Sequence, residues 1–138
     1  MLHHRLRKAA WLVLLTVPLS GCDGVGGYQT VTGSVTFRGE PLTAGSIQFF
    51  TPGEPPVLYA GTVIAQGTYA LPKDHGLKPG QYLVRISSTE RVPTTEGAIS
   101  SMNPARVQER LPSKYNTEST LRVEVRAGEE GTFNFDLD

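Results

Sequence analysis

The chain has 138 residues, with 13 basic and 13 acidic side chains, 15 Gly, 10 Pro and a single Cys. That length allows one domain of ordinary size, and the balanced charge argues against both a basic nucleic-acid binder and an acidic disordered tail. One Cys excludes an internal disulfide framework and an all-Cys zinc site, while the Gly and Pro content suits a turn-rich all-β fold.

The charge is not spread evenly. Residues 1–21 read as an export signal. His3, His4, Arg5, Arg7 and Lys8 precede an 11-residue apolar run, Ala9 to Leu19, that contains one Pro. A bilayer-spanning helix needs ~20 apolar residues, so the run is too short to cross and fits the core of a signal peptide. Leu19-Ser20-Gly21-Cys22 follows directly. Small residues let the backbone enter a peptidase cleft, and a cysteine thiolate forms a thioether with a diacylglycerol donor. The segment resembles the lipobox of bacterial lipoproteins. The resemblance implies lipidation at Cys22, with cleavage before it. Two or three acyl chains hold a protein firmly where one holds it only marginally. Asp23 resembles an inner-membrane retention signal, so the expected location is an exported protein anchored to a bacterial membrane, tilted towards the inner one.

Loss of Arg5, Arg7 and Lys8 with the signal leaves ten basic against 13 acidic residues, a net of −3, and leaves His75 as the only His. A mildly acidic domain has no electrostatic case for nucleic acid or anionic lipid, so membrane contact is expected through the anchor. Residues 22–29 form a short Gly-rich tether, and residues 30–138 form the domain.

From Thr30 the dominant period is two, the period of a half-buried strand. Val31, Gly33, Val35 and Phe37 share one face of the first strand. Ile47 with Phe49, Val63 with Ala65, and Tyr69 with Leu71 mark three less regular strands. Tyr82, Val84 and Ile86, then Leu121, Val123 and Val125, then Phe133, Phe135 and Leu137 complete about seven. Arg38-Gly39-Glu40-Pro41, Thr51 to Pro56, Gln66-Gly67, Lys78-Pro79-Gly80 and Gly128 to Gly131 separate them with turn chemistry. Phe50 and Leu83 break the alternation by pointing outward. Frequent turns between short strands predict an all-β, two-sheet β-sandwich.

One excursion interrupts this pattern, from Thr89 to Glu118. Asn103-Pro104 predicts a short helix reaching about Arg110, because Asn caps well and Pro suits a first helical position. Loops of this length in a compact domain are usually functional or disordered.

Three stretches now carry a second resemblance. Gly33-Ser34-Val35, Gly39-Glu40-Pro41-Leu42 and Gly45-Ser46-Ile47 with Phe49 resemble the opening of carboxypeptidase regulatory-like domains. Gly67 to Leu71 and Leu77 to Val84 resemble that family's middle strands. Leu111 to Tyr115, Ser119 to Leu121, Val125, Gly128 and Phe133 to Leu137 resemble the closing segment of small planctomycete-type lipoproteins. The resemblance implies a seven-stranded, transthyretin-like (Ig-like) β-sandwich. Where the family commonly has an acidic residue before the middle-hairpin Gly, this chain has Ala65-Gln66, which bears on turn type. The matching residues are turn and core positions, which specify fold better than function.

No catalytic constellation accompanies them. Transthyretin-like hydrolases carry a Tyr-Arg-Gly-Ser tail and several His. Intradiol dioxygenases need two Tyr and two His on iron. This chain ends Phe135-Asp136-Leu137-Asp138 and keeps one His after the signal. It has no zinc-spaced His-Glu pair, nucleophile elbow, phosphate loop or dinucleotide loop. Asp74 and His75 are adjacent, but nothing in the sequence positions a Ser against them. No enzyme activity, metal or cofactor is expected. Lys114-Tyr115 is a candidate partner contact, weighed against a packed ring at the edge of the domain. The sequence thus predicts a membrane-anchored, non-catalytic interaction or structural module with an envelope protein or glycan partner. The alternative is binding of a small extracytoplasmic sugar or peptide in a groove near the 89–118 excursion.

Overall fold

Alternation of apolar and polar residues builds the first strand, β1 (Val31–Phe37), in which Val31 and Val35 are fully buried. The computed structural model describes residues 27–92 and 106–138. The signal, Cys22, Asp23 and Asn103-Pro104 lie outside the described residues. Along the chain β1 is followed by β2 (Glu40–Pro41), β3 (Ala44–Thr51), β4 (Val57–Ala65), β5 (Thr68–Leu71), β6 (Gly80–Ser87), β7 (Thr89–Val92), β8 (Arg106–Glu109), β9 (Arg122–Val125), β10 (Gly131–Thr132) and β11 (Phe135–Leu137). Single 3₁₀ turns cover Lys73–His75 and Ser113–Tyr115.

The protein is all-β. Nine strands form one sheet in the order β10-β1-β5-β4-β3-β6-β9, with β2 and β11 pairing further along β1. Pairing is antiparallel except where β10 and β11 run parallel to β1. The sheet curls, so apolar residues from distant strands meet in one core: Val31 and Val35 of β1, Val84 and Ile86 of β6, Val123 and Val125 of β9. The Phe49 and Tyr69 rings, on strands separated by β4, lie 6.3 Å apart within it. The Tyr82 hydroxyl donates to the Lys78 carbonyl at 2.9 Å, as tyrosine corners do in Greek-key domains.

The expected strands all appear, but the count and two boundaries change. The described residues hold eleven strand segments against about seven expected. The last apolar alternation keeps only Phe135–Leu137 as β11, and Gly131–Thr132 before it pairs as β10; between them, at Phe133-Asn134, the Asn134 side chain takes over the ladder. Its Oδ1 accepts the Ser34 backbone N–H at 2.9 Å. The expected helix from Asn103 to Arg110 is not formed over its described part. Residues Arg106–Glu109 are a strand, paired with β7 in the register Thr89↔Glu109 to Val92↔Arg106. A local cap signal is weak, and here pairing with β7 and the contacts of Glu109 override it.

Both two-residue hairpins use positive φ at both turn positions, Arg38 (54°) with Gly39 (80°) and Gln66 (52°) with Gly67 (77°). This is the type I′ conformation, whose twist matches that of the strands it joins. Gln66 therefore changes the residue at the turn without abolishing the turn. Phe50 and Leu83 are cross-strand partners on the face opposite Phe49 and Val84, as the broken alternation implied. Phe50 is nevertheless buried, with the Arg85 guanidinium 4.6 Å above its ring.

Candidate functional site

Strand direction sorts the functional candidates to two ends of the domain. β6 is the ruler. Leu77 lies three residues before its start and Ser88 directly after its end, and the eight residues of the strand span about 26 Å.

At the first end the chain enters the domain from residue 27. Gln29 and Leu77 exchange backbone hydrogen bonds of 2.7 and 3.1 Å. Gly76 permits this approach, since a Cβ there would stand 2.0 Å from the Gln29 carbonyl oxygen. The bridge sets Tyr28 beside the Lys73–His75 turn and the start of β4. Between them lies a cleft of about 440 Å³ lined by Tyr28, Tyr59, Leu71, Asp74 and His75. The Tyr59 ring packs on Tyr82 at 5.4 Å between centroids, and the Lys78 amine stands 5.4 Å from the Tyr28 ring centre. Burial, then the neighbouring Tyr28, push the Tyr59 phenol above its ordinary value. Burial does the same to Tyr82.

The cleft has one titratable pair, His75 Nδ1 and Asp74 Oδ2 at 3.1 Å, with both side chains more than 70 % exposed. No Ser, Thr or Cys lines it among the described residues. Among the described residues no three His, Cys, Asp or Glu side chains converge as a metal site.

At the opposite end β7 and β8 leave as a two-stranded ribbon. Glu109 ties its base. Its carboxylate accepts the Ser88 N–H at 2.8 Å, the Leu111 N–H at 3.0 Å and the Ser87 hydroxyl. Ser88, almost wholly buried, donates its hydroxyl to the Ala44 carbonyl at 2.7 Å, and the Arg110 N–H donates to Ser88 at 2.8 Å. Burial alone would raise the Glu109 carboxyl, but the hydrogen bonds from Ser87, Leu111, Ser88 and Arg110 outweigh it and hold the group below its ordinary value. Near this excursion Gly45, Ser46, Ser87 and Thr89 line a groove of about 310 Å³.

Lys114 and Tyr115 sit on a 3₁₀ turn, and both engage Asp138. The Lys114 amine meets Asp138 Oδ1 at 2.7 Å. The Tyr115 hydroxyl donates to the same carboxylate and accepts the Asp138 N–H at 2.9 Å. The Tyr115 ring is buried in the core, so the hydroxyl has a side-chain partner in addition to the backbone. The hydrogen bonds from Lys114 and then Tyr115 hold the Asp138 carboxyl down at about 2.

No protein-family model matches this chain, and the searches of curated proteins and of solved structures likewise found nothing similar.

The sequence pointed to Lys114 and Tyr115 but missed the aromatic cleft. Three Tyr follow a Gly by two residues, and of these Tyr69 and Tyr82 are buried, while Tyr28 is 42 % exposed. The overlooked signal was Val57-Leu58-Tyr59, three consecutive apolar residues after a Pro-rich loop, a pattern that alternation does not explain. Glu109 carried no sequence signal, since its partners are Ser87 at the end of β6, Ser88 just after it and Leu111 in the loop beyond β8.

Proposed function

We propose that this protein is a bacterial envelope lipoprotein, anchored through Cys22, whose all-β domain is a non-catalytic interaction module. Within this proposal residues 1–21 are the signal, the curled sheet is a transthyretin-like β-sandwich of the carboxypeptidase regulatory-like kind, and Asp23 directs retention at the inner membrane. The observation that carries the reading is the opposite placement of the two chain landmarks. The chain from Cys22 enters at the Gln29–Leu77 bridge, and the β7–β8 ribbon leaves some 26 Å away at the other end of β6. A module held by its first residues would thus present the ribbon away from the bilayer, towards an envelope protein or glycan.

The test uses cells expressing the full chain. Cys22→Ala should abolish acylation and signal cleavage, visible as the loss of a labelled acyl chain and a heavier band. A crosslinker placed at Gln108 should capture a partner in the anchored protein. If the wild-type chain carries no acyl label, the anchor reading fails. If a Gln108 crosslinker gives only self-adducts in the envelope, the ribbon is not the partner face.

A second reading, binding of a small sugar or peptide, draws on the Tyr28–Tyr59 cleft, because aromatic faces beside an exposed His–Asp pair suit a polar ring. Titration with envelope glycans should then perturb the Tyr28 and Tyr59 ring resonances.

A further inference from the structure

We propose that the end of the domain carrying Tyr28, Val57, Leu58 and Tyr59 seats on the bilayer surface, so that the domain is held by the lipid anchor and by a shallow aromatic and aliphatic footing. This rests on the anchoring of Cys22 proposed above.

Six large apolar side chains are substantially exposed among the described residues, and four of them lie at this end. Val57 is 64 % exposed, Leu58 52 %, Tyr28 42 % and Tyr59 37 %. They come from two separate stretches, brought together because β4 begins beside the point where the chain enters. Val57 and Leu58 do not line the cleft, so a ligand in it would leave them bare. Exposed apolar side chains concentrated at one end of a domain mark a contact surface.

Chain length selects the occupant. Cys22 and Tyr28 are six residues apart, so their Cα atoms stand at most about 21 Å from each other. A diacylglyceryl group on Cys22 places that residue at headgroup level, and the end nearest to it is the apolar one. The residue types fit the same place. Tyrosines concentrate at membrane–water interfaces, and lysines there keep an apolar stem low and an ammonium in water. The Lys78 amine over the Tyr28 ring has that arrangement, and Lys73 stands on the neighbouring turn. The two lysines are matched by Asp74 and Glu54 on the turn and the loop beside them. The footing is therefore apolar, and it does not need anionic lipid.

The test reconstitutes the full acylated protein in phosphatidylcholine vesicles. Trp11→Phe is carried throughout, so that a retained signal contributes no emission. Leu58→Trp and, separately, Val57→Trp report this end, and Val107→Trp on the ribbon is the control. Emission is compared between ordinary and acyl-brominated phosphatidylcholine, and an intact mass is taken of each sample. Acylated protein should show about twofold quenching at positions 57 and 58 and none at 107, unchanged in ~1 M salt because no surface charge is being screened. Acylated protein with no quenching at 57 or 58 overturns the footing and leaves the anchor standing. Equal quenching at 58 and 107 overturns it too, since the domain would then have no preferred end. A blue-shifted, unquenched Leu58→Trp in a crosslinkable dimer gives the surface to a second copy instead. A mass without acyl groups overturns the anchor itself.

Discussion

The Tyr69 hydroxyl donates to the Phe133 carbonyl at 2.8 Å, across space that Gly33 leaves empty. A Cβ at residue 33 would stand 1.8 Å from that carbonyl oxygen and 2.8 Å from the Tyr69 ring. This one bond ties β5 to the segment between β10 and β11 across β1, so it helps close the curl of the sheet.

Tyr69→Phe should lower stability by about 1 kcal/mol, the net value of a buried hydrogen bond. Gly33→Ala should cost roughly 3 kcal/mol or more, because backbone and not a flexible side chain occupies the space. Urea denaturation of both variants gives the order. A Gly33→Ala variant as stable as Tyr69→Phe would contradict the packing described. Burial also drives the Tyr69 phenol well above its ordinary value. Its contribution is whole below the unfolded phenol's ~10 and is lost as pH rises beyond that.

Gln66 occupies a left-handed position, which costs a residue with a Cβ about 1 kcal/mol or more and suits Asn or Gly. Gln66→Asn should therefore raise stability by roughly 0.5–1 kcal/mol. Gly67→Ala should lower it by roughly 1–3 kcal/mol, since φ there is also positive and a Cβ would meet the Pro41 Cβ at 2.6 Å. Thermal melts of the pair should move in opposite directions, and a lower melting temperature for Gln66→Asn would refute the turn assignment.

Glu109→Gln should loosen the base of the ribbon, at a cost of about 1–2 kcal/mol for charge-assisted bonds that become neutral. The amides of Ser88 and Leu111, which donate to this carboxylate, should exchange faster with deuterium, while those of Val84 and Ile86 should not. Because the folded carboxyl sits below its ordinary value, its contribution is present above the unfolded ~4.3 and fades as pH falls through the folded value. The variant should lack that acid-side loss, so the two stability curves should converge at low pH.

Asp138 should titrate near 2 when followed by its side-chain carbon resonance. Lys114→Met removes its first partner, and Tyr115→Phe its second. Each should move the midpoint up towards the ordinary 3.9, with Lys114→Met moving it further. No movement in Lys114→Met would separate Lys114 from Asp138 in solution and leave its amine free for a partner.

The sequence by itself determined the class of fold and most of the strand positions. Period-two alternation places side chains on two faces without help from distant residues, and Gly and Pro mark corners through their own φ preferences. Tertiary structure decided what depends on partners far apart in the chain. It turned the stretch from Arg106 into a strand, because Thr89–Val92 and the serines that bind Glu109 outweigh a weak local cap. It shortened the final strand, because Asn134 reaches Ser34. It also set Tyr28 beside Tyr59 at the end where the chain enters, and the ribbon at the other. No local periodicity encodes that juxtaposition, since it follows from the register of strands whose pairing is fixed only when the core closes.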